Sequence, residues 1–172
     1  MSANSLRSAF GGTWGPWAAG CYAMNWQVFG NPATGSWQVT PNIPRDIPDG
    51  TSNTILFAEK YASCAKQGSL WGDNCMDKNS WPSTDVSGWT GLFAVTAPGK
   101  RRWGSVTPPT MFQVQPQIGT QCNILLAQTS HAGAMNVGFG DGSVRSLAGS
   151  VNPDTVWWRL LTPSGGDLPD SY

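Results

Sequence analysis

Residues 130–147 read S-H-A-G-A-M-N-V-G-F-G-D-G-S-V-R-S-L, and the fold turns on how they pair. Asp141-Gly142 is a strong two-residue hairpin signal, because a type I′ turn requires positive φ at both central positions. With those two residues at the tip, Gly140 faces Ser143 and Phe139 faces Val144. Gly138 then faces Arg145, Val137 faces Ser146, and Met135 faces Ala148. Alternation of side chains places Met135, Val137, Phe139, Val144 and Ala148 on one face, which is expected to be buried. The other face carries Asn136, Gly138, Gly140, Ser143 and Arg145, with Leu147 as its one large apolar residue. The reading is a half-buried antiparallel hairpin with a polar outer side.

The remainder of the chain is irregular. Its 172 residues suffice for one domain with a real core, and they include 21 Gly, 13 Pro and 10 Trp. Such a chain buries aromatic area between irregular segments instead of stacking long helices. Net charge is zero and charged residues are 12% of the total, which argues against nucleic acid and an electrostatically held membrane surface as partners. The longest aliphatic run, around Ile124 to Ala127, is far too short for a membrane span, and no signal peptide is visible. Four cysteines allow three pairings, and none forms a C-x-x-C. One reading closes the Gly/Asp/Asn-rich loop with Cys64–Cys75 and leaves Cys21 for Cys122, in an oxidising compartment. The other reading is four buried thiols.

Residues 1–20 read as a loosely structured lead-in, and 21–172 as a single globular domain. Cys21 to Phe29 reads as a strand or extended loop, with a short helix as the alternative. Gly30 to Pro48 is irregular surface chain. The turn cluster Asp49-Gly50-Thr51-Ser52-Asn53-Thr54 feeds Ile55 to Tyr61. Apolar residues of both parities there predict a central strand covered on both faces. Glu59 then sits among apolar neighbours and needs a partner, for which Arg145 is the candidate, unless it frays into water. Residues 62–112 read as an insertion with a short strand at Gly91 to Val95. Lys100-Arg101-Arg102-Trp103 is its one basic cluster, and three charges at a loop tip make no nucleic-acid footprint. The clearest helix starts with Asn152 as cap, Pro153 in the first position and Asp154 in the first turn. It runs to Leu161, with Val156, Leu160 and one of Trp157 or Trp158 facing inward, and stops before Pro163 and Gly165-Gly166.

His131 followed after nine residues by Asp141-Gly142 resembles the tail motif of a planctomycete family of prepilin-like exported proteins. Tyr22-Ala23-Met24-Asn25, the Asp49 to Leu56 segment with Glu59, and Thr155-Val156-Trp157-Trp158 leading to Gly165-Gly166-Asp167 match it as well. The resemblance implies a pseudopilin-like head behind a prepilin cleavage site and a hydrophobic helix, in an exported protein that one classification calls an extracellular solute-binding protein. The cleavage site and helix are expected to be absent from this chain, which should therefore not polymerise through them. On the resemblance, Asp49, Gly50, Glu59, His131, Asp141, Gly142 and Arg145 are motif residues of the scaffold.

Three chemistries can be weighed on the residues. Any Ser–His or Cys–His mechanism must use His131, the one histidine. A strand rises about 3.3 Å per residue, so Asp141 at the tip lies on the order of 20 Å beyond the strand's start, and His131 precedes that start. A His131–Asp141 dyad is therefore disfavoured, and a loop-bonding role is expected. Asp73, Asp77 and Asn79, with Asn74 and Asp85 near, offer oxygen ligands for Ca²⁺, a site pseudopilin heads can carry, or they make an ordinary polar loop. Trp71, Trp81, Trp89 and Trp103, like Trp14 and Trp37, lie in Gly/Pro-rich segments, as faces for a sugar ring or as core plugs. The expected fold class is α+β: an antiparallel sheet, long Trp/Gly/Pro-rich loops and a short C-terminal helix. The expected function is a non-catalytic exported head with no cofactor beyond a possible Ca²⁺. Its partners would be other pseudopilin-like or surface proteins, or a solute or glycan. A hydrolase centred on His131 is the remaining alternative.

Overall fold

The structure, a computed structural model, describes residues 20–33, 39–64, 67–69, 91–96 and 106–172. In chain order its strands are β1 (Tyr22–Asn25), β2 (Ile55–Glu59), β3 (Ser63–Cys64), β4 (Gln67–Gly68), β5 (Leu92–Phe93), β6 (Gln113–Val114), β7 (Gln128–Thr129), β8 (Ala134–Phe139) and β9 (Val144–Ala148). Helix α1 spans Trp26–Phe29. Helix α2 begins as a π-helical segment, Pro153–Trp158, and continues as Arg159–Leu161. The five-stranded sheet has the order β5-β1-β2-β8-β9. Its pairs are antiparallel except β1 with β5, which is parallel. The class is α+β with a mixed sheet.

The hairpin forms one residue out of the predicted register. Met135 pairs with Leu147, Val137 with Arg145 and Gly138 with Val144. Phe139 closes the ladder on Ser143, leaving a three-residue loop, Gly140 to Gly142, with Gly142 at φ +85°. One residue of positive φ, not two, makes a type I turn followed by a left-handed glycine. Asp141 braces it by accepting the Ser143 N–H at 2.8 Å. Slipping by one residue turns all of β9 over. Leu147, expected outside, is fully buried, while Val144, expected inside, is 73% exposed. Ala148, expected inside, is exposed as well.

β2 is central but covered unequally. Register shifts between Ile55 and Phe57, so Leu56 is a bulge residue. The bulge lets Ile55 and Ala58 both enter the main core, while Leu56 joins a smaller cluster with Val28 and Ile47. Phe57, expected to be covered, is 42% exposed. Across the outer face it lines up with Met24 on β1, Gly138 on β8 and Val144 on β9.

The inner face packs on α2. Asn152 caps the helix as expected, accepting the N–H groups of Asp154 and Thr155. The wider π winding turns both Trp157 and Trp158 inward, where one was expected. Trp157 sits edge-on to Phe112 with ring centroids 4.9 Å apart, and Trp158 donates to the Thr110 carbonyl. At the other end of the core, the buried Asn25 donates to the carbonyls of Ile55 and Leu161, tying β1 to β2 and to the last turn of α2.

The disulfide differs from the expected pairing. Cys64 bonds Cys122 across 58 residues, with Cα atoms 5.5 Å apart, and Cys21 is a free, exposed thiol. Closeness in sequence favoured Cys75, which lies outside the described residues. Closeness in space favours Cys122, because the Tyr61 N–H bonds the Gln128 side chain and brings β3 alongside residues 122–129. Among the described residues, no helix is long and apolar enough to cross a membrane.

Candidate functional site

Glu59 is the last residue of β2, and its carboxylate leaves the sheet on the same face as Phe57. It is 12% exposed and is surrounded by donors from three further segments. Oε2 accepts the Thr129 hydroxyl at 2.6 Å and the Asn136 N–H at 3.2 Å. Oε1 accepts the Asn136 side-chain amide at 3.1 Å and His131 Nε2 at 3.0 Å. Burial pushes this carboxyl up. The bonds from Thr129 and then Asn136, with the His131 charge, outweigh burial and hold it below the usual carboxylate range. The network extends outward, since Ser146 on β9 donates to Asn136 Oδ1 at 2.6 Å.

His131 itself lies beyond β7, where Thr129 Oγ1 accepts its N–H at 3.1 Å and fixes the turn. The imidazole is 59% exposed. Among the described residues no hydroxyl or thiol hydrogen-bonds its second nitrogen. The expected separation from Asp141 holds, because the carboxylate at His131 is Glu59 while Asp141 binds Ser143 and Arg145. Ser143 and then Arg145 hold the Asp141 carboxyl below its ordinary value. The expected Glu59–Arg145 pair does not form. The corrected register places Arg145 on the face of Phe139, 4.2 Å above that ring, with its guanidinium 3.6 Å from Asp141 and bonded to the Tyr172 hydroxyl.

A second cluster gathers three motif segments. Asp49 accepts the N–H groups of Gly165 at 2.7 Å and Gly166 at 3.1 Å. Gly50 at φ +96° turns the chain back, so that the Thr51 carbonyl accepts the Asp141 N–H and the Thr54 carbonyl accepts the Gly140 N–H. A Cβ at Gly140 would lie 3.1 Å from the Thr51 carbonyl oxygen, so glycine is what lets the tip come that close. The hairpin tip, the turn after Pro48 and the Gly-Gly after α2 thus meet at one corner.

Lys60 follows Glu59 and is buried. Its Nζ donates to the Leu92 carbonyl on β5 at 2.6 Å, and desolvation pushes its pKa down to about 7. The sequence singled out Glu59, His131, Asp141 and Arg145, but missed Thr129, Asn136 and Lys60. Asn136 was readable as a polar residue on the hairpin's outer side. Thr129 carried no such signal, because its role depends on β7 coming to rest beside β8. Trp71, Trp81, Trp89, Trp103, Asp73, Asp77 and Asn79 lie outside the described residues. Among the described residues, no three His, Cys, Asp or Glu side chains converge to hold a metal.

A family model described as "Protein of unknown function (DUF1559)" and labelled SBP_bac_10, a solute-binding name, matches residues 5–154. The chain belongs to the DUF1559 family. The DUF1559 match takes in β1 to β9 with both the Asp49 turn and the Glu59 cluster, and it ends inside α2, before Gly165-Gly166. No curated protein and no solved structure matches the chain.

Proposed function

We propose that this DUF1559 chain is a non-catalytic, exported, pseudopilin-like head domain that acts by binding or assembly. The observation that carries the reading is how its motif side chains are occupied. The carboxylates of Glu59, Asp49 and Asp141 each accept bonds from the chain's own groups: those of Glu59 and Asp49 join distant segments, and that of Asp141 closes the hairpin tip. Groups held this way act as scaffold. A nucleophile would need to sit against the imidazole, as hydroxyl or thiol does in Ser–His and Cys–His sites. The Cys64–Cys122 bond supports export, since such bonds persist in oxidising compartments.

The test is a hydrolase panel of ester, peptide and glycoside substrates on the wild type, His131→Asn and Glu59→Gln. The expected result is no turnover above background in any of them. Turnover that His131→Asn abolishes while the melting temperature holds would replace this reading with a hydrolase centred on His131. A second reading, solute binding, is favoured by the family's label. Quenching of tryptophan fluorescence by a defined sugar at micromolar concentration, with a matching hit on a glycan array, would select it over assembly.

A further inference from the structure

The outer edge of the sheet is formed by β9, and its backbone is arranged to accept another strand. At the two ends of the hairpin the Phe139 N–H bonds the Ser143 carbonyl at 2.9 Å and the Gly149 N–H bonds the Gly133 carbonyl at 2.7 Å. Antiparallel ladders alternate, so the odd-numbered residues of β9 turn their N–H and C=O toward β8. Val144, Ser146 and Ala148 turn theirs away from it. Among the described residues, their three N–H groups have no acceptor, and one of their carbonyls, that of Ala148, accepts a single bond, from Val151. All three side chains are exposed, and all three are small or β-branched and uncharged. Unpaired edge groups of this kind are a template for strand addition.

We infer that β9 pairs antiparallel with β9 of a second copy of this chain, about a two-fold axis through Ser146. The inference rests on the assembly reading above and names its surface and partner. Three features select a second copy. First, the strand is self-complementary. With Ser146 opposite its own copy, Val144 lies opposite Ala148, and the three outward N–H groups on each side find carbonyls, as an isologous contact requires. Second, the one charge on the strand is already neutralised. Arg145 is held by Asp141, the Phe139 ring and the Tyr172 hydroxyl, so the axis brings no unpaired cations together. Third, pairing extends the outer face on which Phe57 and Val144 stand exposed, with only Gly138 between them, so the apolar row of one copy continues toward that of the other.

The experiment is sedimentation velocity on the full chain from about 10 μM to about 1 mM, the range in which a small interface associates. The wild type is expected to move from 18.4 kDa toward twice that mass. Amide exchange at Val144, Ser146 and Ala148 should slow over the same range. Ala148→Pro removes an N–H that β8 does not use, and Val144→Lys places a charge on an exposed side chain. Each is expected to weaken association at least tenfold while leaving the melting temperature of the dilute protein unchanged. A wild type that stays monomeric throughout overturns the inference, as does an added extended peptide that alone protects the three amides. Association that survives both variants also overturns it, while leaving assembly through another surface standing. The hydrolase panel tests the underlying reading separately.

Discussion

Glu59 and Lys60 are neighbours in the chain, yet their charges meet opposite fates because alternation sends them to opposite faces of the sheet. Glu59 keeps its charge. Four donors close on its two oxygens, and those bonds outweigh the burial that pushes its carboxyl up. Lys60 reaches the Leu92 carbonyl from inside the protein, and desolvation pulls its pKa to about 7. Lys60 is the deeper of the two and desolvation governs it, whereas the donors brought to Glu59 outweigh the smaller cost of its burial.

The comparison can be broken in order of expected effect. For Lys60 the folded pKa lies below the unfolded value of about 10.4. Between pH 7 and that value the unfolded chain binds the extra proton, so stability rises with pH, by at most about 1.4 kcal/mol per pH unit. Below pH 7 both states are protonated and the cost of burial is at its fullest. Chemical denaturation across this range should show the rise in the wild type and a flatter profile in Lys60→Met.

Glu59→Ala removes the acceptor from Thr129, Asn136 and His131 together, and is expected to destabilise by about 3 kcal/mol in urea unfolding, with m unchanged. The acid limb sharpens the contrast. Because the Glu59 carboxyl is depressed in the fold, its contribution is complete above the unfolded value of about 4.3 and is lost as pH falls through the folded value. Glu59→Gln should therefore lose less stability than the wild type on acidification below about pH 4. His131→Asn is the smallest change, about 1 kcal/mol or less, since the imidazole is more than half exposed. A loss as large as that of Glu59→Ala would mean that the ion pair, and not the Thr129 and Asn136 bonds, holds the cluster.

Part of this was readable beforehand. The cap at Asn152, the hairpin's existence and the strand after Thr54 are local statements: Asn152 bonds the backbone two and three residues on, and the hairpin and strand follow from turn residues and apolar pattern within one segment. The register was less secure, because Gly140-Asp141-Gly142 suits a two-residue and a three-residue loop alike. The deciding contacts come from Thr51 and Thr54, nearly ninety residues upstream. The same holds for the partner of Glu59. An arginine of the right charge was visible in the sequence, but one residue of register carried it to Phe139 and Asp141.

The amino-acid order by itself determined the class of fold, the position of its reversals and which polar residues stand in strands, because those depend on backbone preferences and on alternation along one segment. Tertiary structure decided the face that β9 buries, the match of Cys64 with Cys122 and the four donors around Glu59. Each of these joins segments far apart in the chain, and the energy that selects among the possible neighbours is packing and desolvation, which no single segment contains.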